Sequence, residues 1–304
     1  MLARTVLLFL SRRRRLRRWV ETSALARRLT SRFVAGLKLD DALAVCRRLN
    51  ELGLLVTLDC LGENVTSAAE VEAARNAYLA ALDSIEELGL RATVSLKLSQ
   101  FGLDFSEELC YRCVEEVVRR AAAVPTSVEV DMESLEYVDR TLALVVRMHQ
   151  AHGNVRGVIQ AYLRRSRDDL EMLCERGIPV RLCKGAYREP ASVAYQTRAE
   201  IRASFLSLAD LLLDRGVYPG FATHDEFLIG RIRQHAREAG VPATGYEFQM
   251  LYGVRRDLER KFLEDGLRLR LYVPYGEAWY PYFMRRLAEH PANLVLLLRN
   301  LFRS

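Results

Sequence analysis

Strand-like and helical segments alternate through most of the 304-residue chain, and this alternation restricts the possible folds more than any other feature. The eight strand-like segments are residues 54–59, 91–98, 127–132, 155–162, 179–185, 218–224, 246–251 and 268–273. A helical pattern follows each of them, the longest at residues 190–215, and most of these patterns end near glycine or proline. Regular alternation predicts a parallel sheet, and eight repeats predict a closed (βα)8 TIM-type barrel, with a doubly wound sheet as the alternative.

The segments that flank the predicted barrel read as helices. Residues 21–50 contain short helical patterns, and an apolar run at 294–301 predicts a terminal helix packed on the barrel. We therefore divide the chain into an N-terminal basic tail with extra helices, 1–50, and a barrel with its C-terminal helix, 51–304. The N-terminal positions that we expect to be buried are Phe33, Leu37, Leu43 and Leu49.

The N-terminal segment carries a charge that the rest of the chain does not share. Residues 1–32 contain ten arginines and one glutamate, a net of +9, whereas the whole chain carries +6, so the remainder is acidic by three charges. A nucleic-acid-binding domain needs a basic stripe through its body, so this class is disfavoured. The apolar run in residues 1–20 is too short to span a bilayer and precedes its basic cluster, the reverse of a secretory signal. We expect a cytoplasmic protein whose N-terminus is either a tail or a segment drawn to an anionic inner membrane as a peripheral contact.

The six cysteines are scattered along the chain, which favours a reduced, intracellular protein. Cys110 and Cys113 form a lone CxxC inside a helical pattern, with no second pair and no histidine nearby. One face of a helix explains this spacing better than zinc does, so we expect no metal site.

Polar side chains concentrate at the ends of the strand-like segments. In a (βα)8 barrel the carboxyl ends of the strands and the loops that follow them carry the active site. The polar residues at these positions are Lys97, Asp131, Glu133, Gln160, Tyr162, Arg181, Lys184, Tyr187, Thr223, His224, Asp225, Glu247, Gln249 and Tyr272. A single member has a plain structural explanation, such as His224 bonded to the backbone, but so many residues on one rim predict a functional site.

Lysine is rare in this chain, with four residues against 41 arginines. Two of the four, Lys97 and Lys184, fall on the predicted rim. Ammonium groups there fit either a Schiff-base aldolase or a cofactor enzyme whose cations surround a bound anion. No GxGxxG motif follows a strand and no Walker loop occurs, so any dinucleotide must be held by the barrel rim itself.

The stretch from residue 268 to residue 290 combines a strand, a turn and a helix. Leu269–Val273 alternates apolar and charged residues, Pro274–Gly276 predicts a turn, and the spacing becomes helical from Glu277. The polar residues that share one face of this helix are Tyr282, Arg285, Arg286 and Glu289. Two guanidinium groups, a phenol and a carboxylate on one face are suited to gripping an anion. The alternative is a solvated helix face with an ion pair worth only ~0.3–0.5 kcal/mol.

Seven motifs resemble those of the bacterial proline dehydrogenases and occur in the same order. They are VSLKLSQFG (94–102), VEVDMES (128–134), VIQAYLRRS (158–166), VRLCKGAY (180–187), FATHDE (221–226), YEFQMLYG (246–253) and LYVPYG…YFMRRLAEHPAN (271–293). The resemblance implies a distorted (βα)8 barrel that binds FAD without a covalent link. It implies oxidation of L-proline to Δ1-pyrroline-5-carboxylate, electron transfer to a membrane quinone, and a separate pyrroline-5-carboxylate dehydrogenase for the next step.

The resemblance also assigns roles to individual residues. Lys97, Arg285 and Arg286 should bind the proline carboxylate, Asp131 should orient Lys97, and Arg181 should lie near the flavin N5. The residues assigned to the walls of the proline ring are Tyr187, Leu251, Tyr272 and Tyr282. Those assigned to the flavin are Gln160, Arg181, Lys184, Gly185, Ala186, Thr223, His224, Gln249 and Glu289.

A lid and two alternative enzymes complete the sequence-based expectations. Glu63, in the loop after the first strand, is assigned by the resemblance to a lid over proline. The enzymatic alternatives are a Schiff-base aldolase and a flavin-dependent methylenetetrahydrofolate reductase, both of which use a (βα)8 barrel.

Overall fold

The computed structural model describes residues 32–289, and it describes side chains for residues 32–284. The predicted N-terminal tail, 1–20, and terminal helix, 294–301, lie outside the described residues. The side chains of Arg285, Arg286 and Glu289 also lie outside them, although the helix that carries these residues is described.

Eight parallel strands form a closed barrel in which each strand pairs with its neighbours in chain order and β8 pairs with β1. The strands are β1 (Leu55–Cys60), β2 (Ala92–Leu96), β3 (Val128–Val130), β4 (Val155–Gln160), β5 (Val180–Cys183), β6 (Gly220–Ala222), β7 (Glu247–Leu251) and β8 (Leu269–Tyr275). The (βα)8 barrel predicted from the alternation is therefore confirmed. Most strands end before the rim residues, so that Lys97, Asp131 and Lys184 stand in the loops just beyond β2, β3 and β5.

The helices of the described residues surround the barrel. They are α1 (Leu39–Glu51), α2 (Ala68–Glu87), α3 (Glu107–Ala123), α4 (Val138–His152), α5 (Ser166–Glu175), α6 (Arg198–Arg215), α7 (Glu226–Glu238), α8 (Arg256–Glu264) and α9 (Trp279–Glu289). A short 3-10 turn, Leu135–Tyr137, precedes α4. Helix α1 packs its buried face, which includes Leu43 and Leu49, on the same core as the barrel.

Helix α6 begins at Arg198, so the prediction of a helix from residue 190 is wrong at its start. The hydroxyl of Thr197 accepts a hydrogen bond from the Glu200 amide at 3.2 Å, and the Glu200 carboxylate accepts one from the Thr197 amide at 3.0 Å. This capping box satisfies the free amides of the first turn and fixes the helix start. The preceding residues form a loop instead, and Ala194 makes an isolated bridge to Leu163.

The predicted turn at Pro274–Gly276 is also wrong, because β8 continues through Tyr275. The carbonyl of Pro274 accepts a hydrogen bond from the Ala35 amide at 2.9 Å, and that of Tyr275 accepts one from the Leu61 amide at 2.8 Å. Proline lacks only its amide donor, so it fits a strand whose carbonyl is the bonded group. The turn begins at Gly276, with φ +115°, and continues through residues 277–278.

Burial follows the sequence-based expectation at three of the four N-terminal positions. Phe33, Leu43 and Leu49 are buried, whereas Leu37 is 55% exposed, because it precedes the first turn of α1. Cys110 and Cys113 both face the core from α3, which confirms that their spacing marks one helix face. No helix among residues 32–289 is long and apolar enough to cross a membrane.

Candidate active site

Four side chains donate hydrogen bonds to the carboxylate of Asp131 at the carboxyl ends of the strands. Lys97 Nζ and Tyr272 Oη both bond to Oδ2, at 3.0 and 2.8 Å. Ser95 Oγ bonds to Oδ1 at 2.8 Å, and the guanidinium of Arg181 bonds to the same oxygen. The closed barrel thus brings together residues in or just beyond β2, β3, β5 and β8 that lie far apart in the sequence.

This arrangement keeps the central groups charged. Burial opposes ionisation of Asp131, but the nearby Lys97 and Arg181 hold the pKa of its carboxyl well below the ordinary value. Burial likewise opposes the charge on Lys97, but Asp59 and Asp131 raise the pKa of its ammonium well above the ordinary value. The site therefore presents a fixed ammonium and a fixed guanidinium on either side of one carboxylate.

A second layer of charged side chains lies inside the barrel beneath Arg181. Glu129 accepts hydrogen bonds from Arg181 at 2.6 Å and from Arg156 at 3.3 Å. Glu247 accepts them from Arg156 at 2.6 Å and from Arg270 at 2.7 Å. All five side chains are buried, so these bonds form in a medium that screens charge weakly.

Most of this inner layer was not predicted from the sequence. Glu129, Arg156 and Arg270 were not identified, and Glu247 was placed on the rim although it lies deeper. The available signal was the two-residue period of a strand, because residues i and i+2 face the same side. Glu129 precedes Asp131, and Arg270 precedes Tyr272, by two positions. Asp59 and Ser95 were missed in the same way.

Several residues assigned to the flavin lie in the loops after β5 and β6. Lys184 Nζ and Arg202 Nε each lie 2.8 Å from Asp225 Oδ2, and both cations remain partly exposed. His224 Nε2 accepts a hydrogen bond from the Leu251 amide at 3.0 Å. This bond holds the loop after β6 to the end of β7.

Other assigned residues have partners within the barrel. Thr223 Oγ1 accepts a hydrogen bond from the Asp225 amide at 3.1 Å. Gln160 Nε2 donates to the Glu133 carbonyl at 2.8 Å, and Gln249 Nε2 donates to Glu247 Oε1 at 2.8 Å.

The loop after β5 passes unusually close to an aromatic ring. Gly185 has φ +103°, and a Cβ placed there would lie 2.1 Å from a ring atom of Tyr162. Only glycine allows both this backbone conformation and this approach. The Tyr162 hydroxyl is buried and has no hydrogen-bond partner among the described residues.

The residues predicted to contact the proline ring differ in how exposed they are. Tyr272 is held in the Asp131 cluster, and Tyr282 on α9 is 7% exposed. Leu251 is half-buried, whereas Tyr187 is 40% exposed. Glu63 is exposed in the loop that follows β1.

A closed (βα)8 barrel with a charged cluster at the carboxyl ends of its strands defines an enzyme of the TIM-barrel class. The family model described as proline dehydrogenase matches residues 42–297. Proline dehydrogenase 1 of Bacillus subtilis is 37% identical over 99% of both chains. The proline dehydrogenase of Deinococcus radiodurans is 34% identical over 91% of both chains. The chain belongs to the proline dehydrogenase family.

Solved structures agree with this assignment. Proline utilization A (PutA) from Bdellovibrio bacteriovorus superposes with a TM-score of 0.81 and 26% identity, over 87% of this chain. This chain spans 33% of the length of that protein. PutA from Bradyrhizobium japonicum superposes with a TM-score of 0.74 at 22% identity, which supports the fold alone.

Proposed function

We propose that this protein oxidises L-proline to Δ1-pyrroline-5-carboxylate with FAD as the bound oxidant. The single observation that carries the proposal is the cluster of Lys97, Asp131, Arg181 and Tyr272, on a chain that belongs to the proline dehydrogenase family. We further propose, from the family resemblance, that electrons pass to a membrane quinone and that the basic N-terminus makes a peripheral membrane contact. A separate pyrroline-5-carboxylate dehydrogenase would consume the product.

The charge of Lys97 supports the binding of a carboxylate. Its Nζ is held at 3.0 Å from Asp131 and 3.6 Å from Asp59, and the side chain is 17% exposed, so it retains a face toward the rim. Together with Arg285 and Arg286 of α9, this ammonium would hold the carboxylate of proline through charge-assisted hydrogen bonds. The two arginines would add the bidentate geometry that fixes its orientation.

The donors on the rim fit a flavin dinucleotide. Lys184 and Arg202, both partly exposed, share one carboxylate and keep further N–H groups available for phosphate oxygens. The Tyr162 hydroxyl, which has no hydrogen-bond partner in residues 32–284, and the backbone at Gly185, which carries no side chain, mark a loop that a bound group can approach closely. The proposed contacts are Gln160, Arg181, Lys184, Gly185, Ala186, Thr223, His224, Gln249 and Glu289. Bound there, FAD would accept the hydride from C5 of proline.

The same contacts disfavour Lys97 as the Schiff-base lysine of an aldolase. A Schiff-base lysine must lose its proton to attack a carbonyl group, and this requires a lowered pKa. Asp59 and Asp131 raise the pKa of Lys97 despite its burial. Lys97 is therefore suited to binding an anion and unsuited to forming a Schiff base.

The function is tested with purified protein and proline in the absence of air. We expect a yellow protein whose flavin absorbance bleaches on addition of L-proline. The product should be the cyclic imine, which is detected by its reaction with o-aminobenzaldehyde. D-proline serves as the control. A colourless protein that borohydride traps with a ketone substrate would favour the aldolase and contradict the proposal.

The proposed binding of the proline carboxylate by Arg285 and Arg286 is tested by substitutions in α9. Replacing Arg285 or Arg286 by lysine keeps the charge but removes the forked guanidinium. We expect each change to cost on the order of 2–4 kcal/mol of transition-state binding, measured as kcat/KM for proline, with flavin content and Tm nearly unchanged. Arg260→Lys on α8, where the side chain is 84% exposed, is the matched control. Unchanged kcat/KM in both variants would assign these arginines to a solvated helix face.

A further inference from the structure

Asp59 is a buried carboxylate with spare capacity to accept a proton. It lies near the carboxyl end of β1 and is 1% exposed. Its Oδ1 is buried and makes no hydrogen bond among the described residues, although Lys97 Nζ lies 3.6 Å away. Asp131, on the other side of the same ammonium, accepts four side-chain hydrogen bonds. The two carboxylates that flank Lys97 are therefore not equivalent.

The surroundings of Asp59 differ from those of Asp131 in their effect on protonation. Burial raises the pKa of the Asp59 carboxyl above its ordinary value, and Asp131 adds to this. The charge of Lys97, a hydrogen bond from Tyr272 and the charge of Arg181 oppose it. The titratable groups that face Asp59 from the surrounding elements are Cys60, Tyr78, Lys97, Asp131, Arg181, Tyr272 and Tyr275. A carboxylate accepts a proton most effectively in catalysis when its pKa lies near the working pH. The shift moves the pKa of Asp59 toward the working pH and that of Asp131 away from it.

Resting on the proposed function, we propose that Asp59 is the base that accepts the proton lost by the ring nitrogen of proline. Lys97 would bind the carboxylate of the substrate, and the ring nitrogen is attached to the same carbon as that carboxylate. The nitrogen is therefore held beside the immediate neighbours of Lys97, one of which is Asp59. Asp131 is already committed to four donors, including Arg181 and Tyr272.

The step balances in atoms and electrons. Proline binds with a doubly protonated ring nitrogen. One N–H bond breaks, its proton forms an O–H bond on Asp59, and its electron pair becomes the second bond between nitrogen and C5. The C5–H bond breaks at the same time, and its electron pair leaves as hydride to the flavin. The product is the protonated cyclic imine, and Asp59 later returns its proton to solvent.

Asp59 would otherwise serve only to position Lys97, and the two roles predict different pH profiles. If Asp59 is the base, kcat/KM for proline rises as the pH rises through the Asp59 pKa, because the ionised form reacts. Tetrahydrofuran-2-carboxylate has the same carboxylate but no ammonium, so an ionised Asp59 repels it. The affinity of the protein for this ring acid should therefore fall as the pH rises through the Asp59 pKa.

The test compares Asp59→Asn with the parent protein in both measurements. We expect kcat/KM for proline to fall by at least about a hundredfold, in the range for loss of a general base. The affinity for tetrahydrofuran-2-carboxylate should be retained, and it should no longer decline with pH. Asp59→Glu should restore part of the rate. The matched control is Asp83→Asn, whose side chain is 64% exposed and pairs with Arg120.

Two results would overturn the assignment. The first is an Asp59→Asn variant that keeps the parent's pH profile for proline. The second is a parallel loss of affinity for proline and for the ring acid with no change in pH dependence, which would make Asp59 a positioning residue for Lys97. Failure of the proposed function is distinguishable, because the parent itself would then leave its flavin oxidised in the presence of proline.

Discussion

Lys97→Met should lower kcat/KM for proline by a factor of roughly thirty to several thousand, corresponding to about 2–5 kcal/mol of binding free energy for removing one partner of a buried charge pair. Methionine has a similar length but no charge, so the variant separates the role of the ammonium from that of the side-chain volume. It removes the hydrogen bond to Asp131 at 3.0 Å and the ion pair with Asp59 at 3.6 Å. The carboxylate of bound proline would then lie near Asp59 and Asp131 without the ammonium of Lys97 to compensate their charges.

The measurement is steady-state kinetics with a dye as electron acceptor, together with flavin content and Tm. Lys261→Met is the matched control, because Lys261 lies exposed on α8 and outside the Asp131 cluster. Retention of more than about a third of the parent kcat/KM by Lys97→Met would contradict a role in binding the substrate. Equal losses in Lys97→Met and Lys261→Met would point to a general effect of losing positive charge.

Glu129→Gln should cost about 3–5 kcal/mol of unfolding free energy, the range for removing one partner of a buried ion pair. The Glu129 carboxylate is fully buried and accepts hydrogen bonds from Arg181 at 2.6 Å and Arg156 at 3.3 Å. Glutamine keeps the shape but leaves two buried guanidinium groups with one fewer negative charge. Since the total stability of a domain is ~5–15 kcal/mol, this loss is a large fraction of it.

Urea unfolding followed by circular dichroism measures this effect, with the slope compared between variants. The control is Glu86→Gln on α2, whose carboxylate pairs with Arg120 at 2.5 Å but whose side chain is 54% exposed. An exposed pair of this kind is worth ~0–1 kcal/mol. If the two variants lost the same small amount, the buried pairs would contribute no more than surface pairs do.

The barrel could be predicted from the sequence because its strands and helices are recognised from local patterns. Each strand and helix has its own pattern, and the end of a helix is often marked by glycine, as at Gly153 after α4. Helix α6 was predicted too early because the residues from Pro190 are compatible with a helix, and only the Thr197–Glu200 capping box fixes its start at Arg198. Such reciprocal caps depend on side-chain geometry that a hydrophobic pattern does not contain.

The candidate site was predictable at the rim and unpredictable beneath it. Lys97, Asp131, Arg181 and Tyr272 were found because they stand at or near strand ends, and the structure joins them through hydrogen bonds. Their roles toward proline stay predictions. Asp59 ends the predicted strand 54–59 and so carried the same positional signal, but the sequence does not show that its Oδ1 makes no hydrogen bond among the described residues. That property depends on the packing of several strands.

The inner charged layer limits how the barrel sequence can change over evolutionary time. Arg156 and Glu247 lie on β4 and β7, 2.6 Å apart and 91 residues apart in the chain. A mutation at either position alone leaves the other buried charge with one partner fewer, since Arg156 keeps Glu129 and Glu247 keeps Arg270. Replacing a buried ion pair by an apolar pair of similar volume can be neutral or even stabilising. Descendant lineages should therefore exchange such residues together or retain both. The barrel interior would then drift through paired substitutions, while the exposed helix faces around it change one residue at a time.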